Sequence, residues 1–242
     1  IKAGQISEPS DKAGLAHITA GLLTEGTKKR SSSQIAEEIE FVGGGIGASG
    51  GDDSASVNLT ILKKDLDLGL DILADILLNP VFSEEEIIRK VRETKASIEK
   101  EKENPSAVAG KEFAKTVFGD HPYGRPTEGL PETLDLIVRD DIVKFHAAHY
   151  LPNNTIMAVV GDVTEKEIVS KLNRYLKDWK KREAVNPVFP PVKPLSQKIV
   201  KPIDKKITQA NIVLGHIGIE RENPDYYAAY VMNYILGGGG FT

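Results

Sequence analysis

Gly14-Leu15-Ala16-His17-Ile18-Thr19-Ala20-Gly21-Leu22-Leu23-Thr24-Glu25-Gly26-Thr27 is the stretch on which the reading of this chain turns. Leu15, Ile18, Leu22 and Leu23 keep a helical spacing, and Gly26 ends the run. On such a helix His17 and position 21 share a face one turn apart. A zinc-binding helix uses that geometry for two ligands, with a carboxylate nearby to take a proton from the bound water. Position 21 is glycine, so the helix is present and the second ligand is not. Taken alone, His17 reads as a packed or partly exposed helix residue, because metal sites take three or four ligands and the local sequence does not supply them.

Working outward, Ile1 to Gly4 fits the tail of a strand, and the turn residues Ser7 to Asp11 lead into the helix. Ser31-Ser32-Ser33 offers N-caps for a second helix through Ile35, Ile39 and Val42, closed by Gly43-Gly44-Gly45. Two strands follow, Ile46 to Gly50 and Ser54 to Leu62, joined by the hairpin composition Gly51-Asp52-Asp53. Leu66, Leu70, Leu73 and Leu77 mark a helix stopped by Asn79-Pro80, and Ser83-Glu84-Glu85-Glu86 caps a long charged helix running to Glu103. Shorter helices are predicted around Ala107 to Val117, Pro131 to Ile137 and Asp140 to Tyr150. Thr155 to Val160 reads as a buried strand, and Thr164 caps a helix reaching Trp179. Beyond a segment containing Pro187, Pro190, Pro191 and Pro194 come strands at Lys198 to Ile203 and Gln209 to Gly215, then a helix from Pro224 to Leu236.

Composition narrows the function classes. The 242 residues carry 31 basic and 35 acidic side chains, a net charge of −4 with the signs interspersed, which offers no broad basic surface for nucleic acid. There are no cysteines, so disulfides, thiolate metal sites and a cysteine nucleophile are excluded. No apolar run approaches the roughly 18 residues of a membrane span. Both ends read as cut: the chain opens at Ile1 without an initiator methionine and closes on Gly237 to Thr242, directly after a helical pattern.

Other candidate chemistry is thinner. His146 and His149 are three apart on a helix and would suit one metal by spacing, or simply line the helix edge. His121-Pro122-Tyr123-Gly124-Arg125-Pro126 is a rigid, aromatic loop that packing explains as well as binding does. Gly43 to Gly45 lacks the Gly-Lys-Ser/Thr ending of a phosphate loop, and no Gly-x-Ser-x-Gly elbow is present. The strand Gly47-Ala48-Ser49-Gly50 leaves its backbone bare, which suits either the approach of an added peptide strand or a bend at a sheet corner.

These signals occur in an order that resembles one family. Gly14-Leu15-Ala16-His17, Leu22-Leu23-x-Glu25-Gly26-Thr27, the glycine-rich turn and strand at 43–50, Leu77-Leu78-Asn79-Pro80, Gly119 to Gly124, Tyr150-Leu151-Pro152-Asn153-Asn154 and Val160-Gly161-Asp162-Val163 resemble the M16 metallopeptidases of the insulinase, pitrilysin and mitochondrial processing peptidase type. Val213-Leu214-Gly215-His216 and Asn233 to Gly238 look like the start of that family's second, homologous domain. The resemblance implies an α+β fold, a two-layer sandwich with a mostly antiparallel sheet covered by helices. Its implied domains are an N-terminal-type domain over 1–182 whose first strand is incomplete, a proline-rich linker over 183–197, and the beginning of a second domain over 198–242.

Active members carry His-x-x-Glu-His, with two zinc ligands, a general base, and a third ligand from the long helix. Carried over, these positions fall on His17, Ala20, Gly21 and Ser97, so three of four have lost their chemistry. Gly47 stands where active members usually have asparagine; Glu93, four residues before Ser97 and on its helix face, and Glu99, close in sequence, are the carboxylates that could compensate, but neither supplies a full ligand set. The implied function is a catalytically inactive subunit that binds no metal itself and pairs with a zinc-bearing homologue, or with a second copy of itself, to enclose extended peptides contacted through Gly47, Ala48, Ser49 and Gly50. Zinc is expected only in the catalytic partner. An Arg and a Tyr that complete such sites in some pairs would lie beyond Thr242. A structural or assembly protein on the same fold, and an active enzyme with an altered metal site, are the alternatives. The expected compartment is periplasmic or secreted rather than cytoplasmic.

Overall fold

Several helices begin where the sequence supplies an oxygen for their first free amides. Ser31 Oγ accepts from the Gln34 amide (3.2 Å) while the Gln34 side chain accepts from the Ser31 amide (2.9 Å), a reciprocal cap. Ser83 and Thr164 cap by one bond each. Asn104 accepts from the amides of Ser106 and Ala107 with Pro105 in the first turn, where a missing N–H costs nothing.

The computed structural model describes residues 1–185, 187–189 and 191–238. In chain order it places α1 (Leu15–Gly21), α2 (Ser32–Phe41), β1 (Gly45–Gly50), β2 (Ala55–Thr60), α3 (Leu66–Leu78), α4 (Glu84–Glu101), α5 (Pro105–Phe118), α6 (Pro131–Leu134), α7 (Arg139–His149), α8 (Glu165–Tyr175) and α9 (Tyr226–Asn233). This is a helix-dominated α+β arrangement, and its antiparallel sheet is small: β1 and β2 pair from Gly45↔Thr60 to Gly50↔Ala55. The hairpin tip is tied down by Gln5, whose amide bonds Gly51 O (3.0 Å) and whose side chain bonds Asp52 (2.8 Å).

Helix α1 runs through the middle of the core. Leu15, Ile18, Leu22 and Leu23 are buried with Leu70, Leu73 and Leu77 of α3, Ile87 and Ile98 of α4, and Ile142 and Phe145 of α7, while Ile46, Ala48, Val57 and Leu59 of the sheet pack alongside. Full burial contributes roughly 1.5–3 kcal/mol for each such side chain. The position of α1 is therefore fixed by apolar packing and needs no metal. A second cluster, Ile35, Ile39, Ile72 and Ile76, joins α2 to α3. Beside it Arg30 reaches Glu38 (2.9 Å), Asp71 (2.6 Å) and the buried Asp75 (3.2 Å), which also accepts from Thr27 (2.6 Å) and Asn79 (3.0 Å). That paired network holds the loop after α1 onto α3. At the end of the packed body Trp179, its ring against the core, donates its indole N–H to Tyr150 O (2.8 Å).

The structure corrects four strand expectations. Thr155 is extended (φ −125°, ψ 139°), yet residues 155–160 pair with no strand, and Ile156 and Val160 are 88% and 98% exposed. Residues 198–203 and 209–215 likewise form no strand. Apolar, β-branched sequence favours extended backbone, but a strand requires a neighbour to take its ladder bonds, and among the described residues no strand pairs with these segments. Ile1 exchanges two backbone bonds with Ala55 (3.0 and 2.9 Å), and Lys2 bonds Asn154 O, without becoming a strand. The expected linker contains residues 186 and 190, and the expected second domain contains 239–242, which lie outside the described residues.

Candidate functional site

The site is the surface of α1 around His17, and its first half is closed by backbone. Gly14 begins α1 at φ +98°, and a Cβ there would lie 2.7 Å from Glu128 O, so only glycine fits both the conformation and the space. Glu8 reaches the same end. Its buried carboxylate accepts from the amides of Gly14 (3.0 Å) and Ala16 (2.9 Å). Burial outweighs these bonds and the nearby Arg125 guanidinium, pushing the Glu8 carboxyl up to about 7. Next to it β1 presses on the helix: a Cβ on Gly50 would stand 2.9 Å from both Ala16 O and His17 Cα. The end of the strand is thus seated against the helix at His17.

The second half of α1 differs. His17 is half-buried, and burial lowers its pKa, with the Lys90 ammonium acting in the same direction and Glu128 and the Gly50 carbonyl opposing. Ala20 is fully buried in the core and contributes no polar atom. A Cβ built on Gly21 would meet only the end of the Lys90 side chain, at 3.5 Å from Cδ, 3.6 Å from Cε and 3.9 Å from Nζ. Lys90 Nζ lies 3.1 Å from Glu25 and 3.7 Å from Glu93. Arg89 pairs with Glu25, Glu86 (2.6 Å) and Glu93 (2.6 Å), and its hydrogen bond holds the Glu93 carboxyl below the usual range. Ser97, two turns further along α4, is exposed.

A zinc ion needs three protein donors and an open position. This face offers one imidazole, an ammonium group beside the position of the second ligand, and carboxylates already paired with Lys90 and Arg89. The residues do not fit the metal. Glu93, a compensating carboxylate suggested by sequence, is bound to cations of its own helix. Among the described residues no group of three or more His, Asp or Glu is placed to hold a metal ion.

Three of the other four histidines are packed, and His216 is exposed. His146 Nε2 lies 3.1 Å from Leu77 O, its ring stacks on Tyr150 (4.7 Å between centroids), and burial pushes its pKa down to about 4. His149 is buried against the Phe145 ring (4.6 Å). Their spacing of three thus serves two separate packing contacts. His121 is buried too, accepting from the Tyr123 amide at Nδ1 (3.2 Å).

Gly47, Ala48, Ser49 and Gly50 all lie in β1, with Gly47 and Ser49 exposed and Ala48 and Gly50 half-buried. One edge of β1 is paired with β2, and no strand among the described residues pairs the other. Open space surrounds the positions where Cβ atoms of Gly45 and Gly47 would be. The bare strand leads directly to His17. Sequence reasoning missed two residues here, Glu8 and Lys90. Lys90 stands seven residues before Ser97, a two-turn spacing that puts both on one face of α4 and was available as a signal.

Comparison with known proteins identifies the family and the fold. Residues 1–130 match the family model for insulinase (peptidase family M16), and residues 137–242 match that for the peptidase M16 inactive domain. An uncharacterized zinc protease of Rickettsia bellii is 30% identical over 98% of the chain, and the YmxG zinc protease of Bacillus subtilis, also uncharacterized, is 25% identical over 98%. The chain spans 57% of the length of each. The crystal structure of a peptidase M16 inactive domain from Pseudomonas fluorescens superimposes with a TM-score of 0.83 at 25% identity, covering 99% of this chain and 58% of that one. A protease from Helicobacter pylori shares the fold, with a TM-score of 0.72 at 24% identity over 79% of this chain and 46% of that one.

No helix among the described residues is long and apolar enough to cross a membrane.

Proposed function

The chain belongs to the M16 peptidase family, and from that premise we propose that it is a non-catalytic subunit that binds extended peptides and works beside a zinc-bearing homologue. The observation that carries this is the Gly21 position. The family fold is recognisable along the chain, while the place of a zinc ligand borders a lysine ammonium and the place of the base is the apolar, buried Ala20. With Ala20 in the place of the motif glutamate and Gly21 in that of the second ligand, this face lacks the groups by which a zinc-bound water is generated in a His-x-x-Glu-His site.

What the face retains is suited to binding. An unpaired strand edge offers backbone amides and carbonyls to an extended peptide, and such bonds tolerate varied sequence. Because glycine and alanine leave the backbone of β1 open, a peptide strand can approach without displacing side chains. The peptide would then run along β1 towards α1, where His17 flanks its path. Zinc belongs to the partner in this scheme, either a homologue with an intact His-x-x-Glu-His helix or, for assembly alone, a second copy of this chain.

The test is a reconstitution. Purified alone, the chain is expected to contain far less than one zinc per molecule after dialysis and to leave peptides uncut. Mixed with a homologue carrying the intact motif, it is expected to form a complex that cleaves peptides faster than the homologue alone. One tightly held zinc per chain together with peptidase activity from this chain by itself would reverse the proposal.

A further inference from the structure

Lys90 is more than a neighbour of the vacant ligand position. Helices α1 and α4 pack against each other, and the Lys90 stem crosses beneath Gly21 to bring Nζ between Glu25, carried just beyond α1, and Glu93, on its own helix. Both carboxylates lie near the face from which a metal would be held, and both already have a positive partner. A cation has therefore been kept on this face in covalent form.

We propose that the Lys90 ammonium is the resident cation of this face and excludes divalent metal from it, so that regaining the lost ligands does not by itself regain a metal site. Two physical effects act together. A divalent ion next to His17 would meet a like charge that cannot diffuse away, and Glu25 and Glu93 hold that charge in place. The lysine stem also lies just beyond a Cβ at position 21, 3.5–3.9 Å away, so a long side chain directed along that line would have to displace Lys90. The inference concerns this chain alone and stands whether or not it pairs with another subunit.

The experiment uses the whole chain with G21H and S97E combined, which with His17 rebuilds two imidazoles and a carboxylate. Zinc affinity is measured by competition with a chromogenic chelator, and cobalt substitution reports tetrahedral coordination by its visible absorption. With Lys90 present, weak or absent binding is expected. Adding Lys90→Met, which keeps the stem length and removes the charge, or Lys90→Ala, which removes both, is expected to tighten zinc binding tenfold or more. Should only Lys90→Ala tighten it, the block is steric and the charge proposal is overturned. It is likewise overturned if G21H/S97E binds zinc as tightly with Lys90 in place as without it.

A second measurement does not depend on the rebuilt site folding. Because the chain has no cysteine, Gly21→Cys introduces a single thiol, and a Cβ there meets nothing closer than 3.5 Å. A nearby ammonium favours the thiolate. Adding Lys90→Met is expected to move the alkylation pH profile upward by half a unit or more, and an unmoved profile would count against the resident cation.

Discussion

At the start of α1, Gly14 and the abutting Gly50 are glycine because backbone atoms of other segments lie 2.7–2.9 Å from where a Cβ would be. At its end, Gly21 faces only the flexible tip of Lys90, at 3.5–3.9 Å. The first two glycines are imposed by packing, and the third is not. A helix held this firmly by its apolar side and by close approach at one end leaves its other end free to change side chains without losing the fold. Under the proposed function, the contrast accounts for a face that lacks the ligands of a His-x-x-Glu-His helix on a fold that stays recognisable.

The contrast can be broken most forcefully at Gly14. Gly14→Ala combines a left-handed backbone with a clash against a carbonyl, and is expected to cost roughly 3–5 kcal/mol, read as a fall in the urea midpoint with the slope unchanged. Glu8 comes next. Its carboxyl is pushed up to about 7 in the folded chain from an ordinary value of 4.5. The folded state therefore binds the proton more tightly than the unfolded one. The corresponding stability is fully present below pH 4.5 and is lost as the pH rises through 7, by about 3 kcal/mol. His146, pushed down to about 4, acts with the opposite sign, losing stability as the pH falls from 6.5 towards 4. Subtracting the profile of Glu8→Gln from that of the natural chain, in urea melts between pH 4.5 and 7.5, isolates the glutamate contribution; parallel profiles would show that its burial does not govern its titration.

Gly50→Ala sharpens the comparison from the strand side, with an expected loss of roughly 1–3 kcal/mol as β1 backs away from His17. The smallest effect belongs to Gly21→Ala, which has room for its methyl group and improves helix propensity. A gain of up to about 0.5–1 kcal/mol is expected, checked by thermal melting. A substantial loss there would mean that Gly21 is as constrained as Gly14 and that the two ends of α1 are alike.

The helices were legible because their apolar residues recur with helical spacing and their caps are local: Ser31 with Gln34, Ser83 with Glu86, and Thr164 with Glu167 need no tertiary information. The hairpin was legible from the glycine- and aspartate-rich turn at 51–53 between alternating segments. Residues 155–160, 198–203 and 209–215 misled because a strand is a property of two segments, and the pattern of one does not supply the other. The family resemblance put the expected degenerate positions at His17, Ala20, Gly21 and Ser97. The two-turn spacing of Lys90 and Ser97 could place both on one face of α4, but the approach of Lys90 to Gly21 could not be read, because the two lie far apart in sequence and meet only after α1 and α4 have packed. Glu8 was hidden for a similar reason, as nothing in Ser7-Glu8-Pro9 announces a carboxylate buried under a helix.

Trp179 is the chain's only tryptophan, and it stands where the packed body gives way to the segment lacking helix and strand among its described residues up to 225. With its indole bonded to the Tyr150 carbonyl and its ring against the core, it is an intrinsic optical gauge of that junction. Its emission responds to unfolding of the body and to release of the last turn of chain from α7, while motion confined to the later residues passes unseen. Binding or assembly followed by this one fluorophore can thus be separated into events that reach the core and events that stop short of it.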